Sequence, residues 1–172
     1  MFVSKFRNIV LSAIVIATLP AMSHAAVYSK TATASFDVSM KITADCTVGA
    51  SAMDFGETRG VMKAAVNASS AITVTCTNTT PYNVGLNAGN GAGSSGTTRY
   101  MSGTGANTDT VRFNLYQQPG ANLWGDTQGA NTVSGTGTGS VQTLNVYGEI
   151  PVQPTAPTPD SYKSTITATV YF

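Results

Sequence analysis

Histidine and charged residues are scarce in this sequence. The only histidine is His24, and charged residues make up 10% of the 172 positions. Because His24 lies in a segment that we interpret below as a cleaved signal, the remaining chain has no Ser-His or Cys-His pair and no histidine for zinc. The formal net charge is only +1, so no basic surface is available for nucleic acid. We expect neither a nucleic-acid-binding protein nor a histidine-dependent enzyme.

Cysteine is also rare, and the two that occur are Cys46 and Cys76. An even number of cysteines in an exported chain favours a disulfide bond between them. Closing this loop of about 31 residues would stabilise the fold by roughly 3–4 kcal/mol in the loop-entropy model. The alternative is a redox or metal-binding pair, but the chain has no CxxC spacing to support it.

A long hydrophobic run is found only near the start of the chain. Lys5 and Arg7 precede an apolar run over residues 9–19, and small residues at Ser23 and Ala25 follow. This order is typical of a signal peptide over residues 1–25, cleaved before Ala26. A transmembrane anchor is the competing interpretation, although the run is short for a bilayer. Cleavage would leave 147 residues in a single domain, with seven basic residues against eight acidic ones.

Helical periodicity is almost absent after residue 26, whereas alternation of apolar and polar residues is frequent. Two long alternating runs occupy residues 32–42 and 162–172, and both predict strands with one buried and one exposed face. Shorter strand candidates lie at residues 72–76, 82–86, 111–116 and 141–147. Segments rich in Gly, Ser and Thr at residues 87–98 and 134–140 predict surface loops. Together these patterns indicate an all-β sandwich or barrel.

Residues that could carry chemistry are dispersed along the chain. The closest carboxylates, Asp54 and Glu57, are more typical of a solvated turn than of a glycosidase pair. Trp124 and several tyrosines could line a sugar-binding face, but the simpler interpretation places Trp124 in the core. We expect no enzymatic activity, no catalytic residue, no metal site and no cofactor.

The N-terminal alternating run is longer than one strand needs. If residues 38–48 form the first strand of the domain, residues 26–37 are a surplus strand, and an unpaired edge recruits another chain. The alternative is one long bent strand within a single sheet. On the first interpretation, residues 26–37 are a donor strand and residues 38–172 form the domain.

Short motifs in a common order run through nearly the whole chain after residue 26. They are Ile42-x-x-x-Cys46-x-Val48, Met53-Asp54-Phe55-Gly56, Val74-x-Cys76-Thr77, Pro81-Tyr82-x-Val84-x-Leu86, Tyr100-Met101, Leu115-Tyr116, Trp124-Gly125, Val146-Tyr147-Gly148-x-Ile150-Pro151 and Tyr162-x-x-x-Ile166-x-x-x-Val170. In this order and spacing the chain resembles the spore coat protein U-like pilins, and most closely the major subunit of archaic, Csu-type chaperone–usher pili. One departure is Ser164, where the family commonly has an acidic residue.

The resemblance implies an incomplete immunoglobulin-like β-sandwich that is completed by the N-terminal donor strand of a neighbouring subunit. The donor side chains would be Ala32, Ala34, Phe36 and Val38. The groove that accepts them would lie along the C-terminal strand, at Ile166, Ala168, Val170 and Phe172.

The same resemblance implies the partners and the location of the protein. The chain would form a head-to-tail homopolymer, with a periplasmic chaperone, an outer-membrane usher and minor or tip pilins as further partners. Export through the periplasm would place it on the cell surface, in an extracellular pilus that supports adhesion and biofilm formation. The chaperone would hold the carboxylate of Phe172 with basic residues. Two alternatives share the fold: a secreted coat protein and a glycan-binding tip adhesin domain.

Overall fold

The computed structural model describes residues 29–58 and 63–172. It divides at Met40 into an N-terminal unit and a second unit, Lys41–Phe172, and each is described here by itself. The proposed signal peptide, residues 1–25, lies outside the described residues. Throughout the described part of the second unit the regular structure consists of strands, as the sequence predicts.

Ten strands are present within residues 29–58 and 63–172. They are β1 (Cys46–Ala50), β2 (Val66–Cys76), β3 (Pro81–Leu86), β4 (Arg99–Gly103), β5 (Thr110–Gln118), β6 (Ala121–Leu123), β7 (Val133–Thr136), β8 (Gln142–Ile150), β9 (Tyr162–Lys163) and β10 (Ala168–Tyr171). Seven of them form a larger antiparallel sheet in the order β1-β2-β8-β5-β4-β9, with β6 paired to β5. The other three form a smaller antiparallel sheet in the order β10-β3-β7. The larger sheet therefore has β1 and β9 as its two edges, and the smaller sheet has β10 and β7.

The core lies between these two sheets and follows from the alternation of the strands. On β2, Ile72, Val74 and Cys76 are buried, whereas Thr73 between them is exposed. The remaining buried hydrophobic residues come mainly from β3, β5 and β8, and they include Tyr82, Val84, Leu86, Val111, Phe113, Leu115, Val146 and Ile150. Burial of about a dozen such side chains is the main stabilising term of the domain.

Trp124 is part of this core and does not line a surface. Its side chain is 1% exposed, and the indole Nε1 donates a hydrogen bond to the carbonyl oxygen of Val84 at 2.8 Å. Burying a tryptophan requires a partner for its N–H group, which the backbone of β3 supplies here. The prediction that Trp124 packs in the core is confirmed.

The disulfide bond predicted between Cys46 and Cys76 is present. The two residues lie directly opposite each other in the antiparallel ladder that joins β1 to β2. The bond therefore fixes the first residue of β1 to the last residue of β2 and holds the outermost strand of the larger sheet in register.

Three strand boundaries differ from the sequence-based prediction. Residues 29–45 lie in no strand, so the strands predicted at 32–42 and at 38–48 are wrong for this chain by itself, and β1 begins at Cys46. The physical reason is that alternation marks a face but supplies no ladder partner, and an unpaired segment gains no ladder hydrogen bonds. The run at 162–172 is likewise divided into β9 and β10.

The loop predicted at residues 134–140 is partly wrong, because β7 occupies its beginning and pairs with β3. The glycine-rich composition has a packing cause. A Cβ atom on Gly135 would collide with the ring of Tyr82, so a residue without a side chain is needed at this point of the strand. The loop at residues 87–98 contains no strand of the two sheets, in agreement with its prediction.

A search of the described ranges for a helix long and apolar enough to cross a membrane finds none.

Candidate functional site

The two sheets end next to each other, and a groove opens between their edges. One side of the groove is the chain that continues from β1 of the larger sheet, and the other is the chain from β9 to the start of β10 of the smaller sheet; of β1 and β10 themselves, Ala50 and Ala168 line it. In the part of the chain that the structure describes, neither strand has a ladder partner on its outer side. An edge of this kind presents unpaired peptide groups that can bind another strand.

The groove has a volume of about 560 Å³ and an apolar floor. The floor consists of core side chains, namely Ile72, Leu86, Phe113, Leu115 and Val146. The polar residues that line the groove are Ser51, Ser70, Lys163, Ser164 and Thr165, together with the phenol of Tyr162. Its chemistry therefore suits an apolar occupant that can also form main-chain hydrogen bonds.

The first wall is the chain that follows β1, at residues 50–53 and Phe55. Met53 and Phe55 pack against Gly148, where a Cβ atom would collide with the sulfur of Met53. Phe55 also makes an edge-to-face contact with Phe113, with ring centroids 6.5 Å apart. These contacts fold the wall onto the larger sheet.

The sequence did not predict this first wall as part of the site. Its signal was the motif Met53-Asp54-Phe55-Gly56, in which Asp54 Oδ1 accepts a hydrogen bond from Gly56 N at 2.8 Å. Gly56 has a φ of 74°, a conformation that favours glycine. The motif thus marks the turn that ends the wall.

The second wall is the C-terminal segment, at residues 162–166 and Ala168. Two of the four predicted acceptor residues, Ile166 and Ala168, line the groove. The other two do not: Val170 packs partly buried against the core, and Phe172 is 59% exposed. Both lie beside a shallower depression next to Pro81. The groove is thus centred closer to β9 than the sequence-based prediction placed it.

Among the described residues, β10 at the end of the second wall pairs with β3 on one side and with no strand on the other. Asn87 N donates to Thr167 O at 3.1 Å, and β10 continues this pairing with β3 in the register of Thr169 opposite Gly85. Because peptide groups along a strand point alternately to its two sides, those of Ile166 and Ala168 face the opposite edge, along the groove.

Tyr162 lines the groove at the start of its second wall. Its hydroxyl donates a hydrogen bond to Thr158 O at 2.7 Å. Partial burial, followed by the negative charges of Asp109 and Asp160, raises the pKa of Tyr162 above its ordinary value. The side chain therefore remains a neutral phenol that presents its ring to the groove.

The predicted donor residues lie in the N-terminal unit. Ala32 and Ala34 are exposed, and Phe36 and Val38 are 86% and 87% exposed. The exposed alternating row does not end at Val38, because Met40 is also 83% exposed. Such a row of large exposed hydrophobic side chains is unusual on the surface of a monomeric protein.

No cluster of three or more metal-ligating side chains occurs within residues 29–58 and 63–172.

The sequence profile of the Spore Coat Protein U domain matches residues 32–169, which is most of the chain. The chain belongs to the Spore Coat Protein U domain family. This match confirms the resemblance that the ordered motifs indicate, and it covers both walls of the groove and the whole alternating row of residues 32–42. No curated protein matches the chain.

Two solved structures are similar to this Spore Coat Protein U domain. One is the CsuC-CsuE chaperone-tip adhesion subunit pre-assembly complex from archaic chaperone-usher Csu pili of Acinetobacter baumannii, with a TM-score of 0.50 and 22% identity. The match covers 76% of this chain and 40% of the solved one, so the chain spans less than half of that protein. The other is the E. coli Hda pilus minor tip subunit, HdaB, with a TM-score of 0.40, 18% identity and coverage of 73% and 79%. The first similarity confirms the immunoglobulin-like all-β fold.

Proposed function

We propose that the chain is a structural pilus subunit that polymerises by donor-strand complementation. The N-terminal segment of one copy fills the groove of the next copy, between the chain that follows β1 and the chain that leads from β9 to β10. The observation that carries this proposal is the groove itself, an apolar cleft whose two walls continue into β1 and β10, strands that have no ladder partner on their outer sides among the described residues. A strand is the occupant that satisfies both the apolar floor and the open edges.

The N-terminal segment has the period and the length of that occupant. Its exposed apolar residues recur at every second position, as required for a strand with one face turned to a groove. Ala32 to Val38 and Tyr162 to Ala168 each span six residue steps, or about 20 Å at ~3.3 Å per step. The four predicted donor residues, Ala32 to Val38, can therefore lie along the second wall in an extended conformation.

Burial of this row supplies the free energy of assembly. Three to five such side chains contribute on the order of 5–10 kcal/mol, before the cost of ordering the segment is subtracted. Main-chain hydrogen bonds to the two edges add register and direction. Because the donor and the groove are different surfaces of one chain, the contact is head-to-tail and does not close, which generates a filament.

The proposal includes the wider assembly. A periplasmic chaperone holds the groove before an outer-membrane usher exchanges it for the next subunit, and the chain forms the shaft as the major subunit beside minor or tip pilins. The signal peptide directs export, and the extracellular pilus supports adhesion and biofilm formation. The chain acts without catalysis or a cofactor. The comparison with a chaperone–subunit complex of archaic pili supports the fold on which this assembly depends.

Deletion of residues 26–37 tests the proposal. The truncated subunit keeps its groove, so it should still accept a donor strand but should not donate one. Mixed with the full chain, it should shorten the fibres by occupying growing ends. The full chain alone should give a ladder of SDS-resistant multimers that collapses only near boiling, as kinetically trapped strands do. Normal polymerisation of the truncated chain would contradict the proposal.

The alternative of a glycan-binding tip adhesin domain loses its main anchor, because Trp124 is buried. A coat protein of the same fold, assembled without a fibre, differs in its genetic surroundings. Chaperone and usher genes beside this one would favour the pilus, and their absence would favour the coat.

A further inference from the structure

The second wall of the groove contains a segment that is held open by side chains and not by a strand. Residues 164–167 lie between β9 and β10 and belong to neither strand. Nevertheless, Ser164 and Ile166 are partly buried while Thr165 and Thr167 are exposed, so the segment keeps the alternation of an extended strand. Some other part of the chain must keep it extended.

Two asparagine side chains take the place of a neighbouring strand. Thr165 N donates to Asn90 Oδ1 at 2.7 Å, and Thr167 N donates to Asn87 Oδ1 at 2.9 Å. Asn87 N returns a hydrogen bond to Thr167 O at 3.1 Å. The peptide N–H groups on the outer side of the segment are thereby satisfied in the alternating pattern that a strand would use.

The backbone of the same loop lies directly against the segment. Gly89 has a φ of 82°, and a Cβ atom built on it would lie 2.6 Å from Ile166 Cδ1 and from Ser164 Oγ. A side chain at this position would therefore be strained in its backbone and would push the wall into the groove. Gly89 N also donates to Asn87 Oδ1 at 3.1 Å, which fixes the asparagine side chain.

Arg99 fixes the start of this loop from inside the domain. Its guanidinium donates hydrogen bonds to the carbonyl oxygens of Asn87, Leu86 and Trp124 at 2.7–2.9 Å. The side chain is fully buried. A buried cation shared among three carbonyl groups is costly to displace, so the loop cannot shift without breaking several charge-assisted hydrogen bonds.

We propose that the loop of residues 87–90, anchored by Arg99, is a positioning element for the donor strand. It holds residues 164–167 extended before any donor arrives, with the peptide groups of Ser164 and Ile166 turned to the groove. The inference rests on the proposed function. When the wall is already ordered, binding of the donor strand does not have to order it, so strand uptake is faster. The loop thus sets the rate of uptake and contacts the wall only from its outer side.

The experiment measures how fast the full chain captures a labelled synthetic peptide of residues 29–42. The chain, with its disulfide intact, is diluted from denaturant into buffer that contains the peptide, and fluorescence anisotropy follows association. The double variant Asn87→Ala/Asn90→Ala should capture the peptide about tenfold more slowly, as expected for the loss of one or two net hydrogen bonds that order the wall.

Matched variants separate positioning from general stability. Asn90→Ala removes the acceptor oxygen for Thr165 N and should capture the peptide slowly. Asn90→Asp keeps an acceptor oxygen at this position and should capture it at nearly the rate of the unaltered chain. Asn145→Ala is the control, because Asn145 is exposed on β8 and has no side-chain hydrogen bond among the described residues. It should leave the rate unchanged. Hydrogen exchange of the Thr165 and Thr167 amides should accelerate in the slow variants only.

The two hypotheses fail in different ways. If the unaltered chain does not capture the peptide, the proposed function is wrong. If the unaltered chain, the double variant Asn87→Ala/Asn90→Ala and the single variant Asn90→Ala all capture the peptide equally fast, the positioning role is wrong. Should the double variant not fold, the single change Asn90→Ala decides the question, because Asn90 is exposed and its replacement leaves the core intact.

Discussion

The indole nitrogen of Trp124 donates a hydrogen bond to Val84 O at 2.8 Å, which joins the residue directly after β6 to the middle of β3. Since β6 belongs to the larger sheet and β3 to the smaller one, this single bond links the two layers. The carbonyl oxygen of Trp124 in turn accepts a hydrogen bond from the buried guanidinium of Arg99. The only tryptophan of the chain is thus committed to holding the sandwich together.

Substitution of Trp124 should destabilise the domain strongly. Trp124→Ala should lower the free energy of unfolding by about 3–5 kcal/mol because it leaves a large cavity. Trp124→Phe retains most of the packing but leaves Val84 O without its donor, so it should cost about 1–3 kcal/mol. Urea denaturation measures both. Val141→Ala, at a side chain that is 65% exposed, is the control and should change the value by less than about 0.5 kcal/mol.

Removal of the disulfide bond should destabilise the domain and loosen β1. The double variant Cys46→Ser/Cys76→Ser should lose about 3–4 kcal/mol of unfolding free energy, because its unfolded chain is no longer cross-linked. Denaturation of the unaltered chain in a strong reductant should give the same midpoint as the double variant. Equal midpoints for the oxidised chain and the double variant would show that the bond contributes no stability.

Much of the sandwich could be predicted from alternation alone. The candidates at 72–76, 82–86, 111–116 and 141–147 all fall within or across β2, β3, β5 and β8, since these strands have one buried and one exposed face. β4 was missed because it is short and its central residues are all partly buried, which leaves no clear alternation. A period of two therefore identifies strands with one buried and one exposed face better than strands whose residues are all partly buried, such as β4.

The groove could be predicted only in part, for a physical reason. Alternation predicts that Ile166 and Ala168 share the buried face of the C-terminal segment, but it does not predict which sheet edge lies opposite them. That depends on the long-range pairing that places β1 and β10 at adjacent edges. The role of Asn87 and Asn90 was equally hidden, because side-chain hydrogen bonds that replace a ladder leave no periodic signal in a loop.

Acidification should weaken the attachment of the segment that precedes β9. Thr158 donates to Asp109 Oδ2 through its backbone N and its Oγ1, and these bonds lower the pKa of Asp109. A carboxyl with a lowered folded pKa contributes stability above its unfolded pKa of about 3.9, and this contribution is lost as pH falls through the folded value. The unfolding midpoint of Asp109→Asn should thus lie below that of the unaltered chain at pH 7.

At about pH 2 the unfolding midpoints of Asp109→Asn and the unaltered chain should be the same, because Asp109 is then protonated and both side chains are uncharged. Thr158→Ala, which deletes only the Oγ1 donor, should give an intermediate effect at pH 7. A difference between Asp109→Asn and the unaltered chain that stays constant from pH 7 to pH 2 would rule out the carboxylate as its cause.

A charge placed in the groove should block strand uptake. Ala168 lines the groove, whereas the next residue, Thr169, is exposed on the other face of β10. Ala168→Asp should reduce capture of the peptide of residues 29–42 by at least about tenfold, because the carboxylate would have to be desolvated against an apolar strand. Thr169→Asp introduces the same charge one position away and should leave capture nearly unchanged. Equal losses in the two variants would indicate a general effect of charge on β10.

A charge on the donor should act by the same rule of alternation. Phe36 belongs to the exposed apolar row, and Ser35 lies on its polar face. Phe36→Asp should abolish the SDS-resistant multimers, since it replaces the largest donor side chain with a group that the apolar floor excludes. Ser35→Asp should retain them, because its carboxylate remains in solvent on the outer face.

Phe36→Asp and Ser35→Asp both leave the groove of the variant chain unchanged. The Phe36→Asp chain should therefore still capture the unaltered peptide of residues 29–42 at the normal rate while failing to donate its own segment. This separation of donor from acceptor is expected only when the two surfaces lie on different copies. If Phe36→Asp also prevented peptide capture, residues 32–38 would have to contribute to the groove of their own chain, and head-to-tail exchange would be the wrong mechanism.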